Sequence, residues 1–429
     1  AAIGEMIYGK DVTASYLPTW LSQTIPLFIP MGLLLFALFI KHTFKKHTPI
    51  FLFITLFTFL FPFFYVILQK STLYDGWRHL IFPYTSLVAL AAVAWNYVLA
   101  TYQQNKTIWY ATLGIFAFTA LEPAWFIARN YAYPYVYFNP IAGGIQGAFG
   151  EYETDYWGVS VKQGIDWLEE EGIISENMQD TVTIMSNFSY QLDKYLKKKY
   201  EGKVRTNYVR FRQRYDKDWD YGLFLSRFAR GSHLQNGTWP PTDKTVHTVN
   251  ANNVPLLAIL HSKDNNAYLG VQATKRQDWQ AVIQYMTQEV QNYPTNEIAW
   301  VDLARAYIQM QDMNSASVAI GKALALEPEN LQAINLKGLF YLRTGQADKA
   351  VETMRASLTF EPKNSVAYYY IALVEKNKKN LQEALFNAKK SIEVNPKFRE
   401  GYNLTAEIFE AAGDTENAQL FRQAAAKVR

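Results

Sequence analysis

Residues 350–396 read AVETMRASLTFEPKNSVAYYYIALVEKNKKNLQEALFNAKKSIEVNP. Ala350 returns as Ala384 and Pro362 as Pro396, an interval of 34 in both cases. Followed outward, the same register takes in Ala316 and Ala418, then Pro294 and Pro328, and a second row of small residues at Ala304, Gly338, Ala372 and Ala406. Aromatics at Trp300, Tyr368 and Tyr402 keep step. A fixed period of this length means one supersecondary unit stacked on copies of itself. Small residues let two antiparallel helices approach, large ones fill the gaps, and proline closes the second helix. The last third, 277–429, therefore reads as an α-solenoid, and Asp278–Pro294 ("DWQAVIQYMTQEVQNYP") as the second helix of an incomplete leading repeat.

This pattern is the tetratricopeptide signature. Its concave face is built from first helices, and by position in the repeat that face carries Arg305, Asn335, Tyr369, Lys376 and Asn403. Such a polar, mildly basic set suits an extended peptide of a protein partner. Packing of the array against its own membrane domain or another subunit is equally compatible with the pattern.

Residues 1–130 have the opposite character. Ile50–Leu68 ("IFLFITLFTFLFPFFYVIL") holds no charge over the length that a hydrocarbon layer of roughly 30 Å requires. With 20–40, 80–100 and 108–127 it makes four expected membrane spans, despite Pro26, Pro30, Pro62, Pro83 and Pro123. Lys41, Lys45, Lys46 and Lys106 fall in loops on one side, against Lys70 and Arg78 on the other. The bias toward the first set places those loops in the cytoplasm and everything after Arg129 outside. The opening "AAIGEMIYGKD" reads as the middle of a loop, so the expectation is the C-terminal portion of something longer.

Composition excludes several functions. The net charge of +4 on 429 residues gives no basis for nucleic-acid binding. With no cysteine there is no disulfide, thiolate metal site or cysteine nucleophile, and six scattered histidines lack paired ligand spacing, so no metal site is expected.

Two stretches carry candidate chemistry. "TLYDGWRHLIFPY" (72–84) places Asp75, Arg78 and His79 in a short external loop where the third span begins. Arg78 there either anchors the helix end, paired with Asp75, or donates two parallel hydrogen bonds to a lipid phosphate. "NYAYPYVYFNPIAGGIQGAFGEYETDYWG" (130–158) is dense in Tyr, Trp and Gly. Its Tyr137, Asn139, Glu153, Asp155 and Trp157 can contact a sugar or acceptor, and its aromatics can equally form an interfacial belt. The glycines at 143, 144, 147 and 150 lack the spacing of a phosphate loop and read as a flexible surface turn. Beyond them, "VSVKQGIDWLEE" and "YQLDKYLKKKY" have helical periodicity, whereas "TVTIMSN", "VRTNYVRF", "YGLFLSRF" and "VPLLAILHS" are strand-like. The segment 131–276 is thus expected to be a small extracytoplasmic α/β domain with a partly parallel sheet.

The order "GKDVTASYLPTWLSQTIPLFIPMGLLLFAL", "YDGWRHLIFPYTSLVALAAVAW", "YVYFNPIAGGIQGAFGEYETDYWGVSVKQGIDWL" resembles the C-terminal half of bacterial GT-C type glycosyltransferases related to family 39 and protein mannosyltransferases. The resemblance covers about residues 8–225. It implies a bacterial cytoplasmic-membrane enzyme with external C-terminal domains, using a polyprenyl-phosphate sugar as donor substrate. It further implies Arg78, with His79, at the lipid phosphate. The family's catalytic carboxylate lies in an N-terminal loop that this chain lacks, and Asp11, Asp75, Glu153 and Asp155 do not have its context. The alternative is a non-catalytic membrane scaffold within a larger envelope complex.

Overall fold

The computed structural model describes residues 13–73, 76 and 78–428. They form two compact units. One holds the chain through Phe211 together with Trp219–Pro240 and Thr245–Ser262; the other holds Arg212–Asp218, Pro241–Lys244 and Lys263 onward.

The first unit begins with helices α1 (Tyr16–Thr24), α2 (Phe28–Leu38), α3 (Ile40–Lys46), α4 (Pro49–Leu68), α5 (Ile81–Thr101) and α6 (Lys106–Arg129). Among the described residues three helical stretches are long and apolar enough to cross a membrane: Pro49–Leu68, Arg78–Thr101 and Lys106–Arg129. The expected span at 20–40 is not continuous. It breaks between α1 and α2 with a bend of 111°, and counts as a fourth crossing only if the bent pair is one span. The cause is local. Ile25, before Pro26, is extended with ψ 140°, as the proline ring demands of its predecessor, and Pro26 brings no amide to the ladder. The carbonyls freed by the break are taken up by Asn139, whose Nδ2 donates to Ser22 O at 2.7 Å and Ile25 O at 2.9 Å. The expected cytoplasmic loop at 41–48 is likewise mostly helical, as α3.

Helix α2 packs tightly on α5 because Gly32 has no side chain. A Cβ there would stand 2.7 Å from Ala91 Cβ and 2.9 Å from its Cα. The Trp95 indole also donates to Phe28 O at 2.7 Å. By contrast α4 shows most of its apolar surface: Phe53, Phe57, Phe61 and Tyr65 are all more than half exposed. They form a ladder of rings along one face, with Phe57 and Phe61 centroids 5.2 Å apart. A continuous apolar face of this size marks a surface made for lipid or for another protein.

Two short turns and α7 (Gly144–Ala148) replace the flexible turn expected around Gly143–Gly150. After them come α8 (Ser160–Glu170), β1 (Val182–Ser186), α9 (Ser189–Leu196), β2 (Val204–Tyr208), β3 (Tyr221–Leu225), α10 (Gly231–Gln235), β4 (Thr245–Ala251) and β5 (Val254–His261). The strand order is β2-β1-β3-β5-β4. β1 pairs parallel with β2 and β3, while β5 pairs antiparallel with β3 and β4, so the sheet is partly parallel. Strand β4 escapes the sequence pattern because an edge strand of Thr, His and Asn has little apolar alternation to read; its Val246 is exposed and only Val249 and Ala251 are buried. Helix α8 covers the sheet through Val161, Ile165 and Leu168, and its Gly164 admits Leu257 to 2.5 Å of where a Cβ would be.

The second unit stacks α11 (Asn266–Arg276), α12 (Trp279–Asn292), α13 (Glu297–Gln309), α14 (Met313–Leu326), α15 (Leu331–Arg343), α16 (Ala347–Phe360), α17 (Ser365–Asn377), α18 (Leu381–Val394), α19 (Arg399–Ala411) and α20 (Thr415–Lys427). Ala304, Ala316, Ala350, Ala372, Ala384 and Ala406 are completely buried at helix crossings, which is why the period demands small residues there. Gly338 leaves to Met354 the space that a Cβ would fill. The leading repeat is complete: α11 supplies its first helix, with Ala273 buried and Gly270 against Met286. Packing thus starts this unit at Lys263, ahead of the expected 277.

Candidate interaction surfaces

In the first unit, Arg78 opens the single 3-10 turn Arg78–Leu80 that leads into α5. Its guanidinium carbon lies 5.3 Å from the centre of the Trp157 ring, a cation–π contact. Trp157 is 48% exposed and His79 is exposed, so this corner is open. Asp75 and Asp11 lie outside the described residues.

The other residues expected to touch a sugar are mostly committed inward. Asn139 is fully buried, stitching residues 22–25 and capping the turn Pro140–Ala142 through its Oδ1. Asp155 is also fully buried; it accepts from the Val159 and Ser160 amides at 3.1 Å, from the Ser160 hydroxyl, and from the Tyr135 hydroxyl. Burial first, then the Asp155 charge, pushes the Tyr135 hydroxyl far above its usual range, so Tyr135 remains a donor. The buried Tyr137 donates to Glu122. Glu153 is paired with Arg227 at 3.6 Å. This corrects the expectation for Tyr137, Asn139 and Asp155, which hold the unit's core. Only Trp157 and the half-buried Glu153 remain near the surface.

In the second unit, the first helices α15, α17 and α19 line a pocket of about 770 Å³. Its wall is Leu339, Leu342, Tyr369, Tyr370, Leu373 and Phe398, with Arg343 and Glu400 also lining it. Tyr369 and Phe398 meet edge to face at 5.4 Å. Burial pushes the Tyr370 hydroxyl up to about 12, so it stays a hydrogen-bond donor at neutral pH. The expected polar set is placed differently. Tyr369 lines the pocket, Asn335 is bound to Asn364 at 3.0 Å, Lys376 is paired with Glu407 at 2.5 Å, and Arg305 lies 3.8 Å from Asp302. Asn403 is exposed on α19. The expected basic residues Arg305 and Lys376 thus each stand beside an acid, Asp302 on the same helix and Glu407 on the next first helix. Those acids sit one repeat or one turn away, so the periodic pattern alone does not reveal them.

A buried ionic network closes the leading end of this unit. Arg214 contacts Glu297 through two nitrogens at 2.8 and 2.6 Å, and Asn296 at 3.3 Å. Asn296 in turn donates to Glu289 at 2.7 Å, and Lys244 meets Glu289 at 2.7 Å. Arg214 and Lys244 come from the segments 212–218 and 241–244, which interrupt the sheet domain in sequence. No group of three or more metal-ligating side chains is found among the described residues.

A family model described as tetratricopeptide repeat matches residues 298–330 and 331–364. The C-terminal array carries tetratricopeptide repeats. Sperm-associated antigen 1 of Mus musculus is 32% identical over 103 residues, 24% of this chain and 11% of that protein. BBSome complex member bbs-4 of Caenorhabditis elegans is 34% identical over 83 residues, 19% of this chain and 18% of that protein. This chain spans under a fifth of the length of either relative. Among solved structures, MamA is 18% identical, with 37% of this chain and 93% of that chain covered at a TM-score of 0.32. PilW, a type IV pilus biogenesis factor, is 19% identical, with 38% and 77% covered at a TM-score of 0.35.

Proposed function

We propose that this chain is a membrane-anchored scaffold whose tetratricopeptide array captures a segment of a protein partner within an envelope assembly. The observation that carries the reading is the pocket of about 770 Å³ on the first-helix face, walled by aromatic and aliphatic side chains. Such a surface buries bulky apolar side chains of a bound segment, each contributing roughly 1.5–3 kcal/mol. The exposed face of α4, with Phe53, Phe57 and Phe61, supports the anchoring half of the proposal. In an anisotropy assay with a library of short aromatic and aliphatic peptides, the full chain in detergent is expected to select binders. Tyr369→Ala and Leu373→Arg should each weaken those binders by about tenfold or more, on the order of 1.4 kcal/mol. Binding that survives both substitutions in a folded array would remove the groove from the proposal.

A second reading, sugar transfer from a polyprenyl-phosphate donor, draws on the Arg78–Trp157 pair beside the start of α5. It asks for a carboxylate base, and Asp155 is saturated while Glu153 is paired. On this reading Arg78→Ala abolishes transfer from a polyprenyl-phosphate sugar while the protein stays folded. Full retained transfer excludes it.

A further inference from the structure

A second cation in the first unit, distant in sequence from Arg78, sits in a built recess. Arg129 ends α6, and with Gly143, Gly144, Ile145, Gln146, Asn252 and Asn253 it lines a pocket of about 240 Å³. The recess is held by side-chain amides. Asn130 Nδ2 donates to Asn252 Oδ1 at 2.9 Å, and the Asn252 amide returns a bond to Asn130 Oδ1 at 3.1 Å. Gln146 Nε2 donates to Asn252 O at 3.2 Å. These bonds fasten the tip of the β4–β5 hairpin to the end of the apolar helix. Asn252 and Asn253 take the left-handed backbone, with φ of 45° and 66°, that a two-residue hairpin of this kind requires.

The lining chemistry selects the ligand. Among its residues are one guanidinium and three side-chain amides, and no carboxylate. Arg129 is exposed and has no ion pair or hydrogen bond of its guanidinium among the described residues. The cation in the last turn also suits the helix dipole, but that role requires neither a recess nor converging amides. Gly144 leaves the wall open, since a Cβ there would meet nothing within 4 Å. The 24-residue apolar helix Lys106–Arg129 puts its last residue where hydrocarbon gives way to headgroups when it spans a bilayer. A planar guanidinium donates two parallel bonds to a phosphate, and side-chain amides complete the shell.

We propose that this recess binds a phosphate oxyanion, with Arg129 as its charge partner and Gln146 and Asn253 as amide donors. In a membrane the source is the phosphodiester of a phospholipid headgroup; in water it is a free phosphate. The site is independent of peptide capture, so failure of the groove leaves it standing. The test uses the full chain in detergent, stripped of lipid, titrated separately with dihexanoyl phosphatidylglycerol and with inorganic phosphate, and read by native mass spectrometry. Arg129→Gln is compared with Lys106→Gln at the other end of the same helix, both checked for unchanged helicity. The expected result is a loss of tenfold or more in phosphatidylglycerol adducts for Arg129→Gln alone, which assigns the lipid source. The same loss for inorganic phosphate, with lipid unaffected, assigns a free phosphate. Adducts that do not depend on Arg129 with either probe overturn the proposal.

Discussion

Replacing Arg214 by alanine is expected to destabilise the repeat unit by about 3–5 kcal/mol, the usual cost of breaking a buried ion pair from one side. The side chain is 1% exposed and its two-pronged contact with Glu297 is sealed from solvent. Truncation leaves the Glu297 carboxylate buried without its guanidinium, while Lys244 stays with Glu289. The damage therefore spreads beyond a single pair, because Asn296 links Arg214 to the Glu289 carboxylate and also caps α13 by accepting from the Ile298 and Ala299 amides. Hydrogen exchange of the full chain is the measurement, and protection in α12 and α13 should fall first. The double variant Arg214→Met with Glu297→Leu should recover most of the loss, since two apolar groups of similar volume carry no desolvation penalty. An unchanged exchange pattern in Arg214→Ala would show that the pair contributes nothing to the array.

Asp302→Asn should act in the opposite direction, raising stability at neutral pH. Burial lifts the Asp302 carboxyl from 3.8 to about 6, against the opposing influence of Arg305 and the Thr274 hydroxyl. The folded state thus holds a proton that the unfolded chain has already released between those values. Below pH 4 both states are protonated and the group is neutral in its effect. As pH rises through about 6 the native state must carry a buried charge, which costs up to about 3 kcal/mol at 1.36 kcal/mol for each pKa unit. Asparagine keeps the shape and a hydrogen-bonding end without the charge, and gives up only the attraction of Arg305 at 3.8 Å. Thermal unfolding at several pH values should show the variant matching the original chain near pH 4 and exceeding it by a growing margin to pH 7, then by a constant one. A margin independent of pH would mean that the carboxyl is not protonated in the folded state.

Both residues show where a linear reading stops. Asp302 and Arg214 look like ordinary charged residues in the sequence, and neither belongs to a motif. What makes them consequential is burial, and for Arg214 burial arises only where segment 212–218 joins the repeats. The same holds for Asn139 and Asp155. Their setting among aromatics reads as a sugar-contact surface, whereas in the fold one closes a helix break and the other gathers two backbone amides and two hydroxyls. Trp157 shows the converse, since its neighbour Arg78 is distant in sequence and adjacent in space.

By itself the sequence determined the helical repeats and the apolar helices, because both are written in local periodicity: small residues every 34 positions, and uncharged runs as long as a bilayer is thick. Tertiary structure alone decided the contacts by which Asn139 closes the break at Pro26, the apolar wall of the repeat groove, the recess around Arg129 and the upward shift of the Asp302 carboxyl. Each of these depends on which distant polar group arrives to satisfy a carbonyl, neutralise a charge or exclude water. Such pairings are set by packing across the whole unit, and no window of neighbouring residues contains them.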